Sequence, residues 1–144
     1  MSVLQNVRWP TFACAAVLVV HVALLGWSAA ANSSTYDEPV HLAAGVAYWQ
    51  RGDFSIYCHS PPLLRLWAAL PAVLAGAVAP NTAAADQRPI VRRHLYYANH
   101  FFYDNFGRFP WFLLIGRWGM IPVSCFAGWI SCRWAEALFG KVSG

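Results

Sequence analysis

Residues 11–31 form an apolar run without a formal charge, close to the roughly 20 residues that an α-helix needs to cross a hydrocarbon core. A second apolar run covers residues 111–139; Arg117 interrupts it, and Arg133, Glu136 and Lys141 close it. The two runs predict two transmembrane helices. Residues 32–110 between them break into shorter pieces.

The first of these pieces predicts a helix over 36–51. Thr35 and Asp37 are both candidate N-caps, Glu38 follows Thr35 by three residues as in a capping box, and Pro39 is tolerated in a first turn. Leu42, Val46 and Trp49 share an apolar face; Asp37, His41, Gly45 and Tyr48 follow one another along a second face that is polar at its start. Arg51, Gly52 and Asp53 end the helix, and Pro61-Pro62 can begin another but cannot sit inside one. Residues 62–79 are apolar apart from Arg65 and are interrupted by Pro71 and Gly76. They predict a helix at the membrane interface with Arg65 snorkelling to the headgroups, a second full span being the alternative. A polar connection over 80–89 reads as the outermost loop. The mixture of rings, arginines and histidines from Arg92 to Asn105 suits a bilayer surface.

Composition strengthens the membrane reading. Charged residues make up 11% of the chain and hydrophobic ones 58%, with a mean hydropathy of +0.41, where soluble domains carry about 25% charged residues. The net charge of +4 comes mostly from arginines dispersed among aromatics. No basic run is long enough to track a nucleic acid, so the expected partners are membrane lipid or a phosphate-bearing lipid substrate. Cys14, Cys58, Cys125 and Cys132 lack close spacing and read as small buried hydrophobes rather than a disulfide framework or metal site. His21, inside the first run, reads as a neutral side chain packed against a neighbouring helix, with a ligand or relay as the alternative.

Arg8 before the first span, and Arg133 with Lys141 after the second, place both termini in the cytoplasm by the positive-inside rule. Residues 1–10 and 140–144 are then cytoplasmic tails, and 32–110 an extracytoplasmic loop of a plasma or inner membrane protein. A competing reading makes the first run a signal peptide cleaved after Ala29-Ala30-Ala31, although the run outlasts a typical h-region and has a single n-region charge.

Asp37 and Glu38 are two of six acidic residues. Carboxylates at a helix start have an ordinary role in satisfying free N–H groups. A functional role calls for a reaction at a membrane surface in which a carboxylate base deprotonates an acceptor and cations hold a phosphate leaving group. Sugar transfer from a polyprenyl phosphate is such a reaction. Arg117 costs about 2.5 to 3.5 kcal/mol at a span centre and less near an interface. It reads either as a snorkelling anchor or as a cation in the compartment of Asp37 and Glu38.

The order of motifs resembles the bacterial multi-pass glycosyltransferases of the GT-C class, similar to protein mannosyltransferases and aminoarabinose transferases. After a first span come Asp37-Glu38-Pro39-Val40-His41, then Gly52-Asp53-Phe54, then His59-Ser60-Pro61-Pro62-Leu63 running into an apolar segment over 66–71. Phe102-Tyr103-Asp104-Asn105, the pair Leu113-Leu114 before Arg117, and Trp134-Ala135-Glu136 resemble the family's second span and its approach. The resemblance implies that Asp37 is the catalytic base, that Glu38 helps position acceptor or metal, and that Arg117 meets the lipid phosphate, with His41 and His59 in positioning roles. Some relatives hold a divalent metal near this loop; no ligand spacing here establishes one, and no cofactor is assigned. Family members continue through many more spans. The sequence therefore predicts a truncated or split member, the N-terminal part of the enzyme, weakly active or inactive by itself. The alternative is a non-enzymatic small integral membrane protein, a remnant or an accessory subunit.

Overall fold

A computed structural model describes residues 9–57, 59–81 and 90–140. The terminal segments with Arg8 and Lys141, Cys58 and most of the polar connection over 80–89 lie outside the described residues. Among those described, the chain is helical and holds no strand: α1 Trp9–Ala31, α2 Glu38–Arg51, α3 Leu63–Leu74, α4 Ile90–Asp104 and α5 Phe109–Phe139, with a short 3₁₀ turn Phe106–Arg108 before α5. Two helical stretches, Phe12–Ala31 and Phe106–Phe139, are long and apolar enough to cross a membrane. They match the two predicted spans. The chain divides into two compact units, one of α1 with the part of α5 from Ile121 onward, the other of residues 32–120.

In the first unit α1 and the end of α5 run antiparallel. Cys14 meets Cys132, Leu18 packs where a side chain on Gly128 would lie, and His21 Nε2 hydrogen-bonds Ser124 Oγ at 2.8 Å. These positions ascend α1 at helical spacing and descend α5 in step. His21 is thus a residue packed against a neighbouring helix, as its bland reading holds. Most of the other large side chains of α1, among them Val17, Val20, Leu24 and Trp27, point outward.

In the second unit α2 is the central helix, packed on α3 and α4. Its small residues permit this: Ala43, Ala44, Val46 and Ala47 have no exposed surface, and a Cβ on Gly45 would come within 2.5 Å of the Arg65 carbonyl and 2.6 Å of Ala69 Cβ. Both predicted faces of α2 are therefore buried beyond its first turn, Leu42 and Val46 on one and Gly45 and Tyr48 on the other, while Asp37 at the start of the second is exposed. Trp49 is the exception; it sits on the expected apolar face yet is 48% exposed, because its indole N–H reaches out to the Leu66 carbonyl at 2.7 Å.

α3 ends at Leu74, five residues before the predicted end at 79. Gly76 takes a left-handed conformation (φ 85°), and the N–H groups of Gly76 and Ala77 return to the carbonyls of Val73 and Ala72, a Schellman closure. Arg65, Ala69 and Ala72 form the inward face of α3. Arg65 is only 5% exposed, so it does not snorkel. Acceptors supplied by α2 and by the segment before α3 draw it inward. The segment read for its aromatic chemistry is the helix α4, with Tyr97, Ala98 and Phe101 buried. Asn105, just after α4, bonds both the N–H and the C=O of Val78 through its side-chain amide, which fixes the connection that follows α3.

Candidate active site at the head of α2

The helix begins at Glu38, two residues later than a Thr35 cap requires and where an Asp37 cap places it, and the two carboxylates divide accordingly. Asp37 is the N-cap residue, but its backbone is already helical (φ −87°, ψ −22°) and its side chain makes no cap hydrogen bond. A cap side chain reaches the first free N–H groups from an extended backbone, so this geometry releases the carboxylate. Asp37 is exposed, and among the described residues no hydrogen bond or ion pair engages its carboxylate. Its carbonyl accepts the His41 N–H at 3.0 Å.

Glu38 does the structural work. It accepts the Thr35 N–H at 3.1 Å, the backward half of a capping box. Arg117 grips it with two bonds, Nε to Oε1 at 3.0 Å and Nη2 to Oε2 at 2.6 Å. The same guanidinium donates to the carbonyls of Asn32 and Ser33 at 2.7 and 2.9 Å. Partial burial by itself would raise the pKa of Glu38; the bonds from Arg117, with the Thr35 N–H and the guanidinium charge, outweigh it and hold the carboxyl below its ordinary range.

One turn along α2, His41 accepts through Nδ1 the Nε–H of Arg65 at 3.0 Å. An arginine only donates, so the imidazole is neutral and its proton is on Nε2. Burial first, then the charge of Arg65, lowers the His41 pKa, while Asp37 pulls it upward. Arg65 is the hub beneath. It donates to Tyr48 Oη at 3.0 Å, to the Tyr57 carbonyl at 3.3 Å and to Ser60 Oγ, and its guanidinium lies 4.0 Å above the Tyr57 ring. The Tyr57 ring in turn meets His41, His59 and His94 edge-on at 5.0, 5.4 and 5.6 Å between centroids.

Two concavities adjoin these residues. An open cleft of about 360 Å³ is lined by Tyr48, Phe54, Tyr57, His59, Ser60 and the proline pair. A smaller apolar cavity of about 150 Å³ is bounded at its polar end by Glu38, His41 and Arg117 and elsewhere by Leu42, Leu113 and Met120 among others.

Of the residues predicted for the site, Glu38 and Arg117 are bonded to each other, Asp37 and His41 lie on the same turn, and His59 joins them through Tyr57. Sequence reasoning missed Arg65 as an inward residue, and with it Tyr48, Tyr57 and His94. One signal was available for Arg65: it shares a helical face with Ala69 and Ala72, small residues suited to close packing. Among the described residues no group of three His, Cys, Asp or Glu side chains is placed to hold a metal ion. The donor set does not fit a divalent cation, since Glu38 is spent on Arg117 and His41 on Arg65. No family model matches the chain, and comparison with curated proteins and with solved structures gives no match either.

Proposed function

We propose that residues 1–144 form part of a membrane glycosyltransferase that moves a sugar from a polyprenyl-phosphate donor to an extracytoplasmic acceptor, with Asp37 as its base. The observation that carries this reading is the division of labour at the head of α2. Glu38 serves the fold, and Asp37, the other half of an acidic pair at a helix start, serves neither the cap nor an ion pair.

In this reaction the Asp37 carboxylate takes the proton of the acceptor hydroxyl as its oxygen attacks the anomeric carbon. The bond from that carbon to the phosphate oxygen breaks with inversion, and polyprenyl phosphate leaves. His41 presents an Nε2–H fixed by Arg65, suited to orienting the acceptor. His59, exposed beside the cleft, is the side chain assigned to the substrate's polar part. Arg117 enters as a positioning residue: it holds the backbone that carries Asp37, and it meets a lipid phosphate only by giving up Glu38. In the same reading α1 and α5 span a plasma or inner membrane with both termini cytoplasmic, residues 32–110 face outward, and α3 lies near the interface. Further spans, on this chain or a partner, complete the donor groove. Orientation by such walls accounts for about 7 to 11 kcal/mol of a barrier.

A second reading, a non-enzymatic membrane protein that packs against a longer partner, draws on the outward apolar side chains Trp27, Phe126 and Trp134. Photolabelling of the protein in lipid nanodiscs with a diazirine analogue of a polyprenyl-phosphate sugar separates the two. The enzyme reading expects labelled peptides from 36–41 or 59–62, with competition by polyprenyl phosphate and none by the free polyprenol. Equal labelling by a polyprenol analogue, confined to α1 and α5, supports the second reading instead.

A further inference from the structure

The seam between α1 and the end of α5 brings together a pair that sequence spacing gave no reason to join. Cys14 and Cys132 are 118 residues apart, yet their sulfurs lie 2.7 Å from one another. The contact belongs to a regular register. Position 14 meets 132, 18 meets 128 and 21 meets 124, so each step up α1 is matched by a step down α5. Gly128 lets the helices approach at the middle of the seam, and the His21–Ser124 bond fixes its register farther along. Both cysteines are thiols and both are partly exposed. Cys14 is two residues from the start of the apolar stretch, and Cys132 is followed by Arg133, which places the pair near one end of the seam, within reach of water-borne reagents.

We propose that Cys14 and Cys132 are a reversible dithiol–disulfide pair that locks α1 to α5. The sulfurs need to close by only a fraction of an ångström to reach the bonding distance of about 2.05 Å. The oxidant is a small-molecule disulfide. One cysteine thiolate attacks it, forming a mixed disulfide and releasing one thiolate; the second cysteine then attacks the protein sulfur of that mixed disulfide and expels the other. Two protein thiols are oxidised, one disulfide is reduced to two thiols, and protons pass through solvent. On the topology proposed above this end faces the cytoplasm, where protein disulfides are transient and redox-sensing rather than permanent. The pair is then a switch on the freedom of the two helices. It does not depend on the catalytic reading.

The test uses the full chain in nanodiscs with Cys58→Ser and Cys125→Ser, so that only the pair remains. After treatment with oxidised glutathione the protein is cut by trypsin between residues 32 and 110 and run without reductant. The fragments that carry Cys14 and Cys132 are expected to stay joined, to separate with dithiothreitol, and to weigh two hydrogens less than their sum. With Cys14→Ser added they are expected to separate under both conditions. Fragments that separate after oxidation with both thiols still open to maleimide, or links that form only between two chains, overturn the proposal. So does peptide mapping of the oxidised four-cysteine protein that finds Cys125 or Cys58, rather than the Cys14–Cys132 pair, in the main disulfide.

Discussion

Arg65 Nε donates to His41 Nδ1 across 3.0 Å, from a guanidinium almost wholly removed from solvent. This bond ties α3 to the first turn of α2 and sets the imidazole tautomer. A buried cation with no carboxylate bonded to it among the described residues is tolerable because its N–H groups are matched by a ring nitrogen, two hydroxyls and a carbonyl, and because the Tyr57 ring lies against its face.

The bond makes residues 32–120 acid-sensitive. His41 has a pKa lowered from its ordinary 6.5, so above that pH folded and unfolded states are both unprotonated and the contribution is fully present. As pH falls below 6.5 the unfolded chain takes up a proton first, and stability is lost down through the lowered folded value. Glu38, lowered from 4.5, behaves likewise: its contribution is present above 4.5 and is lost as pH falls through its folded pKa. Amide hydrogen exchange from pH 8 to 4 should show protection of α2 falling below 6.5, and His41→Gln should remove that step. Protection that rises from pH 7 to 5 contradicts the assignment.

Arg117→Met leaves Glu38 half-buried without its cation and strips a donor from the Asn32 and Ser33 carbonyls. Breaking a partly buried, bidentate pair in this way is expected to cost about 1–3 kcal/mol. Glu38→Gln, which keeps one acceptor oxygen, should cost less. Denaturant unfolding followed by tryptophan fluorescence gives both values, and equal stability of Arg117→Met and the parent would mean that the pair does not hold the segment before α2.

Gly45→Ala places a methyl within 2.6 Å of Arg65 O and Ala69 Cβ, backbone and short side chain that cannot swing aside. Overpacking of this kind costs about 1–3 kcal/mol. The same unfolding measurement tests it, with Gly26→Ala, whose added methyl meets nothing within 4 Å, as the control.

Tyr97→Phe should go the other way. Among the described residues the buried Tyr97 hydroxyl has no hydrogen-bond partner, and burial pushes its pKa up to about 12. Removing an unmatched buried hydroxyl is expected to be neutral or to stabilise by about 1 kcal/mol, read as an unchanged or higher unfolding midpoint. A loss of more than about 1 kcal/mol would reveal a partner.

Length and apolarity made both long helices legible in the sequence, and Gly52, Pro62 and Gly76 marked where the shorter ones start or stop, whereas Pro71, expected to interrupt, lies inside α3. Arg65 was not legible because its acceptors, Tyr48, His41 and the Tyr57 carbonyl, lie 8 to 24 residues away; locally, an arginine among leucines fits a snorkelling anchor equally well. The same holds at the acidic pair. Thr35, Asp37 and Glu38 are all compatible with a cap, and the choice among them is made by Arg117, 79 residues farther on, which draws Glu38 to itself. Helix α4 carries Arg92, Arg93 and His94 in its first half, which hid its periodicity behind its chemistry.

The most direct test of the account is Asp37→Asn in the native membrane setting of the protein, where any further spans and partners are present. Membranes from cells carrying this allele should retain the protein at its normal level and lose transfer of labelled sugar from the polyprenyl-phosphate donor by about 10²- to 10⁴-fold, the contribution of a general base. Glu38→Gln should lose less and should lose stability along with it. Undiminished transfer in the Asp37→Asn membranes would contradict the assignment of Asp37 as the base.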